Sequence, residues 1–271
     1  MNIAFWSNVR HQSGVTSSVA LISILWVELF VEEVAVTSNH ICNYGLEKRL
    51  YGGIEYEEKA ARRAYHYILG EPEYFRMLYS GKVQTALWLN DSLRFVPMES
   101  ESGNLFATEG LSCINNMQVE NKFLLIDTAC GCGLCSQKIL EEAELTVVLF
   151  PPRKEYIDSF FQSETNLREN SFFILGNYQA VDSLRPSYLT RKYNIPKERI
   201  GVIPYNLGFE QAMREGSTIA YITRNMHCSK RNSAYRFIQH ATKTVESLRD
   251  YAMNRRRVLC TDCGKVLEKE F

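Results

Sequence analysis

The residues whose spacing carries the most chemistry lie in one strand–loop–helix unit, AFWSNVRHQSGVTSSVALI, residues 4–22. Its Gly14-Val15-Thr16-Ser17 stands where a phosphate-binding loop has Gly-Lys-Thr/Ser. In such a loop the backbone N–H groups and the start of the following helix cradle phosphates, and the hydroxyl after the lysine holds Mg²⁺. Thr16, Ser17 and Ser18 supply hydroxyls at the expected helix start, and Arg10 supplies a cation. Val15 occupies the place of the phosphate lysine. His11, in the same loop, carries a charge that changes near pH 6.5 (about the unperturbed histidine value) and can tune anion binding.

Later segments add polar residues at the ends of apolar runs. Asp127 closes the run KFLLID and is followed by TACGCG, the position of a carboxylate that acts on Mg²⁺ or its water shell. Asn177 follows FFILG, and Pro204-Tyr205-Asn206 follow GVI.

The eight cysteines are not spread as a disulfide framework. Cys130, Cys132 and Cys135 crowd behind Asp127, where soft thiolates can hold an iron–sulfur cluster or zinc, or can simply pack a tight loop as small apolar residues. Cys260-Thr-Asp-Cys263-Gly-Lys has the look of a zinc knuckle, but one CxxC supplies two of the four ligands zinc takes. The adjacent His227 and Cys228 are the other candidates, and a free tail is the alternative. The five histidines show no spacing that marks a nucleophile and its base.

The elements needed to position these residues alternate between short β-rich runs and longer helical patterns, the signature of a parallel α/β sheet. Strands are expected at Asn2–Ser7, Glu33–Thr37, Leu93–Met98, Lys122–Asp127, Leu145–Phe150, Ser171–Leu175 and Ile200–Pro204. A buried helix is expected from Thr16 to Phe30 and a tyrosine-rich helical segment from Gly45 to Ser80. A long amphipathic helix from Ser229 to Asn254 places Ala234, Phe237, Ile238, Ala241, Val245, Leu248 and Ala252 on one stripe. The expected organisation is one α/β domain over residues 1–254, a doubly wound, mostly parallel sheet of about seven strands flanked by helices, and a short tail over 255–271 bearing the CxxC.

The chain has 271 residues, 45% of them apolar, enough to bury roughly three quarters of the unfolded surface. Its 31 Lys and Arg balance 31 Asp and Glu, which excludes a globally basic nucleic-acid binder and an acidic disordered chain. The balance is uneven along the chain. Residues 230–257 hold Lys230, Arg231, Arg236, Lys243, Arg249, Arg255, Arg256 and Arg257 against Glu246 and Asp250, a surface that can meet DNA or an anionic membrane, or a solvated helix face. The N-terminus lacks the basic, apolar and small-residue pattern of a secretory leader, so a cytoplasmic protein with reduced thiols is expected.

The order of strand, GxTS loop, helix, LLIDT, ILGN and IPYN resembles the ParA/MinD family of deviant-Walker ATPases over most of the chain. Within it, Ser13-Gly14-Val15-Thr16-Ser17-Ser18-Val19-Ala20 is similar to the TadZ/CpaE-like pilus-assembly group, whose loops also depart from the lysine pattern. The resemblance implies a P-loop domain that binds ATP or ADP with Mg²⁺ as a dimerisation switch, with weak or no hydrolysis. Arg10 falls at the family's signature lysine, which reaches across a face-to-face dimer. Gly14, Val15, Thr16 and Ser17 fall on the phosphate loop, Thr16 and Asp127 on the metal, and Asn177, Pro204 and Asn206 on the base. Where the family's second strand ends in carboxylates, this chain has Thr37-Ser38-Asn39-His40. The implied partners are a second copy and the proteins of a secretion, pilus or partition complex, with recruitment to the membrane or a cell pole. Two alternatives stand beside this reading: a catalytically dead scaffold acting through protein contacts, and a metal protein using the cysteines, for which DTACGCG also resembles the DxxCGG segment of nitrogenase iron-protein-like ATPases.

Overall fold

Phe123–Asp127 has no polar residue before its last, and all five are buried, as a central strand covered on both faces must be. The computed structural model, which describes residues 1–10, 13–30, 32–39, 46, 49, 50, 87–90, 93–95, 123–130, 133–163, 167, 169–179 and 184–262, builds the domain around this strand. Its strands are β1 (Asn2–Trp6), β2 (Val34–Ser38), β3 (Leu87–Asn90), β4 (Leu93–Phe95), β5 (Phe123–Asp127), β6 (Leu145–Phe150), β7 (Ser171–Tyr178) and β8 (Ile200–Pro204). They form one sheet in the order β3-β4-β2-β5-β1-β6-β7-β8. All neighbours are parallel except β3, which runs antiparallel to β4 at the edge. The sheet is thus doubly wound and mostly parallel, with eight strands among the described residues where the sequence suggested about seven. The extra strand is β3, which two residues separate from β4, the spacing of a hairpin.

The described helices are α1 (Val15–Phe30), α2 (Leu134–Glu142), α3 (Lys154–Ser163), α4 (Ser187–Tyr193), α5 (Leu207–Glu215), α6 (Thr218–Asn225) and α7 (Tyr235–Asp262). Alternate residues of β1 enter cores on opposite faces: Ile3 and Phe5 pack with α1 and α7, while Trp6 packs with Phe150, Ile157 and Phe160. Helix α1 is apolar on nearly every side, because it lies between the sheet and helices α6 and α7. At its far end Glu32 accepts hydrogen bonds from Trp26 Nε1 (2.9 Å) and from Arg249 Nε and Nη2 (3.1 and 2.9 Å), clamping α7 to α1. No helix among the described residues is long and apolar enough to cross a membrane.

Helix α7 buries six of the seven residues of the expected stripe, and the seventh, Ala234, is buried just before its start. It begins at Tyr235 rather than Ser229, because the Asn232 side chain accepts from Ala234 N–H (2.8 Å) and donates to Asn225 Oδ1 (3.3 Å), holding the preceding residues in a turn. It also continues past Asn254 to Asp262, carrying Cys260 in its last turns. Strand β2 ends at Ser38 and β7 at Tyr178, both later than expected. Strand β4 ends at Phe95, and residues 96–98 lie outside the described residues. Of the segment expected to be helical over 45–80, the described residues Leu46, Arg49 and Leu50 are helical.

Candidate functional site

In a parallel doubly wound sheet, ligands bind beyond the carboxyl ends of the strands, where the chain's winding reverses. Here that point is β1, with β5 on one side and β6 on the other. A cleft of about 740 Å³ opens there, lined by the loop after β1, the first turn of α1, the loop after β5, the ends of β7 and β8, and the start of α5. Its volume is that of a small-ligand or cofactor pocket.

The loop after β1 is folded by its own polar groups: Val9 N–H donates to Ser7 Oγ (3.1 Å) and Ser13 Oγ to Val9 carbonyl (3.4 Å). Gly14 has φ +71°, a left-handed conformation that favours glycine. Its carbonyl then accepts the first helical bond of α1, from Ser18 N–H at 2.8 Å. Thr16 and Ser17 are half-buried on the cleft wall. Val15 is 5% exposed and belongs to the main core, so the position expected to supply a phosphate cation supplies a packing group. Arg10 is exposed at the rim. His11 lies outside the described residues.

Asp127 is fully buried at the tip of β5, in register with Phe5 on β1 and Ser38 on β2. Ser38 Oγ donates to Asp127 Oδ2 at 3.5 Å. The next residue, Asn39, binds the loop that follows β5: its Oδ1 accepts from Ala129 N–H (2.5 Å) and its Nδ2 donates to Ser136 Oγ (3.3 Å), which in turn donates to Ala129 carbonyl (2.9 Å). The end of β2, which lacks carboxylates, therefore serves to fix the Asp127 loop.

Asn177 adopts φ +52° and sets its amide against Gly14. Asn206 Oδ1 caps α5, accepting from Phe209 N–H (2.8 Å), and also accepts from Tyr221 Oη (2.8 Å). Both line the cleft with Pro204. Gly14, Val15, Thr16, Ser17, Asn177, Pro204, Asn206 and Arg10 thus converge on one wall-and-rim system. Asp127 sits just below it, at the base of the Ala129–Cys130 loop.

Arg49 was not marked by the sequence pattern, yet it lines the cleft and donates from Nη1 to Ser17 Oγ at 3.3 Å. The available signal was its place between Leu46 and Leu50, apolar residues that bury on one helical face. Burial lowers its pKa from the ordinary arginine value, opposed by the charge of Asp127.

Cys130 lines the cleft and is half-buried. Burial pushes its thiol up, Asp127 adds to this, and a backbone bond with Ser7, the charge of Arg10 and a bond with Ser13 oppose it. Cys132, the side chains of Cys135 and Cys260, and Cys263 lie outside the described residues. Among the described residues, no three His, Cys, Asp or Glu side chains stand together as a metal site. Of the basic residues over 230–257, Arg249 is held by Glu32, and Arg255 donates to Glu144 carbonyl (2.6 Å) and Asn170 Oδ1 (2.7 Å).

No family model matches the chain, and no curated protein matches its sequence. Solved structures do match. The cell division ATPase MinD of Pyrococcus furiosus shares 12% identity at a TM-score of 0.64, over 92% of this chain and 98% of that one. MinD of Pyrococcus horikoshii OT3, complexed with Mg-ADP, shares 14% at 0.63, over 94% and 99%. A putative plasmid partition protein of Borrelia burgdorferi B31, bound to AMPPNP, shares 12% at 0.60, over 92% and 98%. The chain has the fold of MinD and ParA-type ATPases.

Proposed function

We propose that the chain is a nucleotide-dependent positioning or assembly factor of the ParA/MinD type, binding ATP or ADP with Mg²⁺ in the cleft beyond β1. The observation that carries this reading is the convergence of the left-handed Gly14, the hydroxyl-bearing start of α1, Asn177 and Asn206 on one cleft at the winding reversal, with Asp127 buried at the tip of β5 behind the cleft-lining Ala129 and Cys130. The residues present fit the group: Gly14 opens the helix start to phosphate, Thr16 and Asp127 would hold Mg²⁺, and Asn177, Pro204 and Asn206 would border the base. Bound Mg²⁺ supplies charge neutralisation to the phosphates. The nucleotide would control face-to-face dimerisation with Arg10 directed to the second copy. Val15 and the carboxylate-free end of β2 support weak or absent hydrolysis. The TadZ-like subgroup, pilus or partition partners and recruitment to a membrane or pole belong to this proposal through the loop resemblance alone.

Isothermal titration of the reduced protein with Mg-ATP, followed by light scattering for dimer formation, tests the reading. Binding below about 1 mM, about 4 kcal/mol, is expected, and no binding at that concentration overturns it. A second reading, a scaffold that keeps the fold without nucleotide, is favoured by the buried Val15. A melting temperature unmoved by Mg-ATP would select it. Exposed Lys230, Arg231, Arg236, Lys243 and Arg257 support non-specific contact with DNA or an anionic membrane, which salt-dependent retention on either surface would reveal.

A further inference from the structure

We propose that Arg49 is the phosphate-binding cation of the cleft, taking the task that the loop has lost at Val15. This rests on the nucleotide reading above. The side chain comes from the segment between β2 and β3, outside every motif of the phosphate loop. Its Nη1 donates to Ser17 Oγ at 3.3 Å, which places the guanidinium beside the first turn of α1. Its backbone is fixed on both sides: Thr218 Oγ1, fully buried at the start of α6, donates to the Arg49 carbonyl at 2.7 Å, and Leu46 and Leu50 lie in the main core at 1% and 2% exposure.

Electrostatics gives this placement its meaning. The N-terminus of a helix carries roughly half a positive charge, so a cation there is repelled by the helix it touches. Arg49 is half-buried, and among the described residues it makes no ion pair. Asp127 acts on it through its field, without a direct bond. A half-buried guanidinium and the positive end of α1, facing one cleft with Asp127 the one buried carboxylate nearby among the described residues, define a site for an anion with more than one negative charge. The planar fork of arginine binds two phosphate oxygens at once, and the Ser17 hydroxyl that now accepts from Nη1 would be released to the ligand.

The test is displacement of a fluorescent ATP analogue by ATP, ADP and AMP on the full chain, as wild type and as Arg49→Ala, Arg49→Lys and Arg10→Ala. Arg49→Ala is expected to weaken ATP by about 10- to 100-fold, the loss of a charged hydrogen bond, and AMP by much less. Arg49→Lys is expected to restore only part of the affinity, because the ammonium keeps the charge but loses the bidentate fork. Because the Thr218 bond goes to backbone, the variant keeps that tether; if its circular-dichroism melt shows misfolding, Arg49→Gln is measured in its place with the same loss expected. Wild-type binding with an Arg49→Ala change within about threefold overturns this assignment and leaves the nucleotide reading standing. A loss confined to Arg10→Ala overturns it in favour of the loop arginine. Absence of wild-type binding to any of the three nucleotides overturns both.

Discussion

Asn39 at the end of β2 accepts a 2.5 Å hydrogen bond from the backbone N–H of Ala129, two residues past Asp127. Strand β2 thereby governs the loop that carries Asp127 and Cys130, through a side chain only 4% exposed. Asn39→Ala would leave the Ala129 amide unpaired and Ser136 without its donor. A loss of about 1–3 kcal/mol in urea unfolding is expected. Asn39→Asp keeps the acceptor but brings a carboxylate to the end of β2. Because that oxygen stays committed to Ala129, phosphate release from ATP is expected to remain at the wild-type rate. A clear rise in turnover would show that the missing carboxylate alone limits hydrolysis.

The end of β7 is packed against the phosphate loop so closely that a Cβ on Gly176 would fall well inside 3.0 Å of the Ser13 carbonyl oxygen. The obstacle is backbone, so the loop itself would have to move. Gly176→Ala is expected to cost about 1–3 kcal/mol and to weaken nucleotide binding with it. At Gly133 a Cβ would meet nothing within 4 Å, so Gly133→Ala is expected to leave affinity unchanged. Equal affinities for the two variants would show that the Ser13–Gly176 approach does not shape the site.

These two contacts show what was legible in the sequence. The apolar runs of β1, β5, β6 and β7 and the stripe on α7 could be read directly, because burial on both faces gives an unbroken apolar run and burial on one face imposes a period. The Gly-x-Thr-Ser loop and Asp127 could be read because phosphate binding demands particular residues at fixed spacing. Asn39, Gly176 and Arg49 act through contacts between segments far apart in the chain, and no local period marks such partners. Glu32 and Arg249 are 217 residues apart and equally invisible to a periodic reading. Arg49 came closest to being readable: a loop lacking its lysine calls for a cation from elsewhere, and Leu46 and Leu50 flank one.

Glu32 is 6% exposed and serves as acceptor for both Trp26 and Arg249, whose guanidinium also lies 4.4 Å from the centre of the Phe30 ring. Glu32→Ala would strand an indole N–H and a guanidinium at the junction of α1 and α7. The expected cost is roughly 1–3 kcal/mol, because the indole N–H loses its acceptor in the core while the guanidinium, 27% exposed, can be rehydrated. At about 2–4 °C per kcal/mol for a chain of this size, calorimetry should show a fall in Tm of about 5–10 °C. Glu32→Gln keeps an acceptor for Trp26 and is expected to cost less. A Glu32→Ala melt unchanged from wild type would mean that α7 is held by its apolar stripe alone.

Cys130 links the cleft to pH. Burial and then the neighbouring Asp127 carboxylate raise its thiol pKa above the unfolded value of about 8.5. A raised folded value means that the folded state favours the neutral thiol. The resulting stability is complete below about pH 8.5 and is lost as pH climbs through the folded value. Cys130→Ala is therefore expected to flatten the alkaline limb of the stability profile without altering the neutral plateau by the same mechanism. Iodoacetamide should alkylate Cys130 slowly at neutral pH, as peptide mass mapping would show, since the thiolate is the reactive form. Asp127→Asn removes one of the two causes and should speed the reaction, while bound nucleotide should slow it by covering the cleft wall. Rapid alkylation at neutral pH in the wild type would identify a thiolate and show that burial does not hold Cys130 neutral.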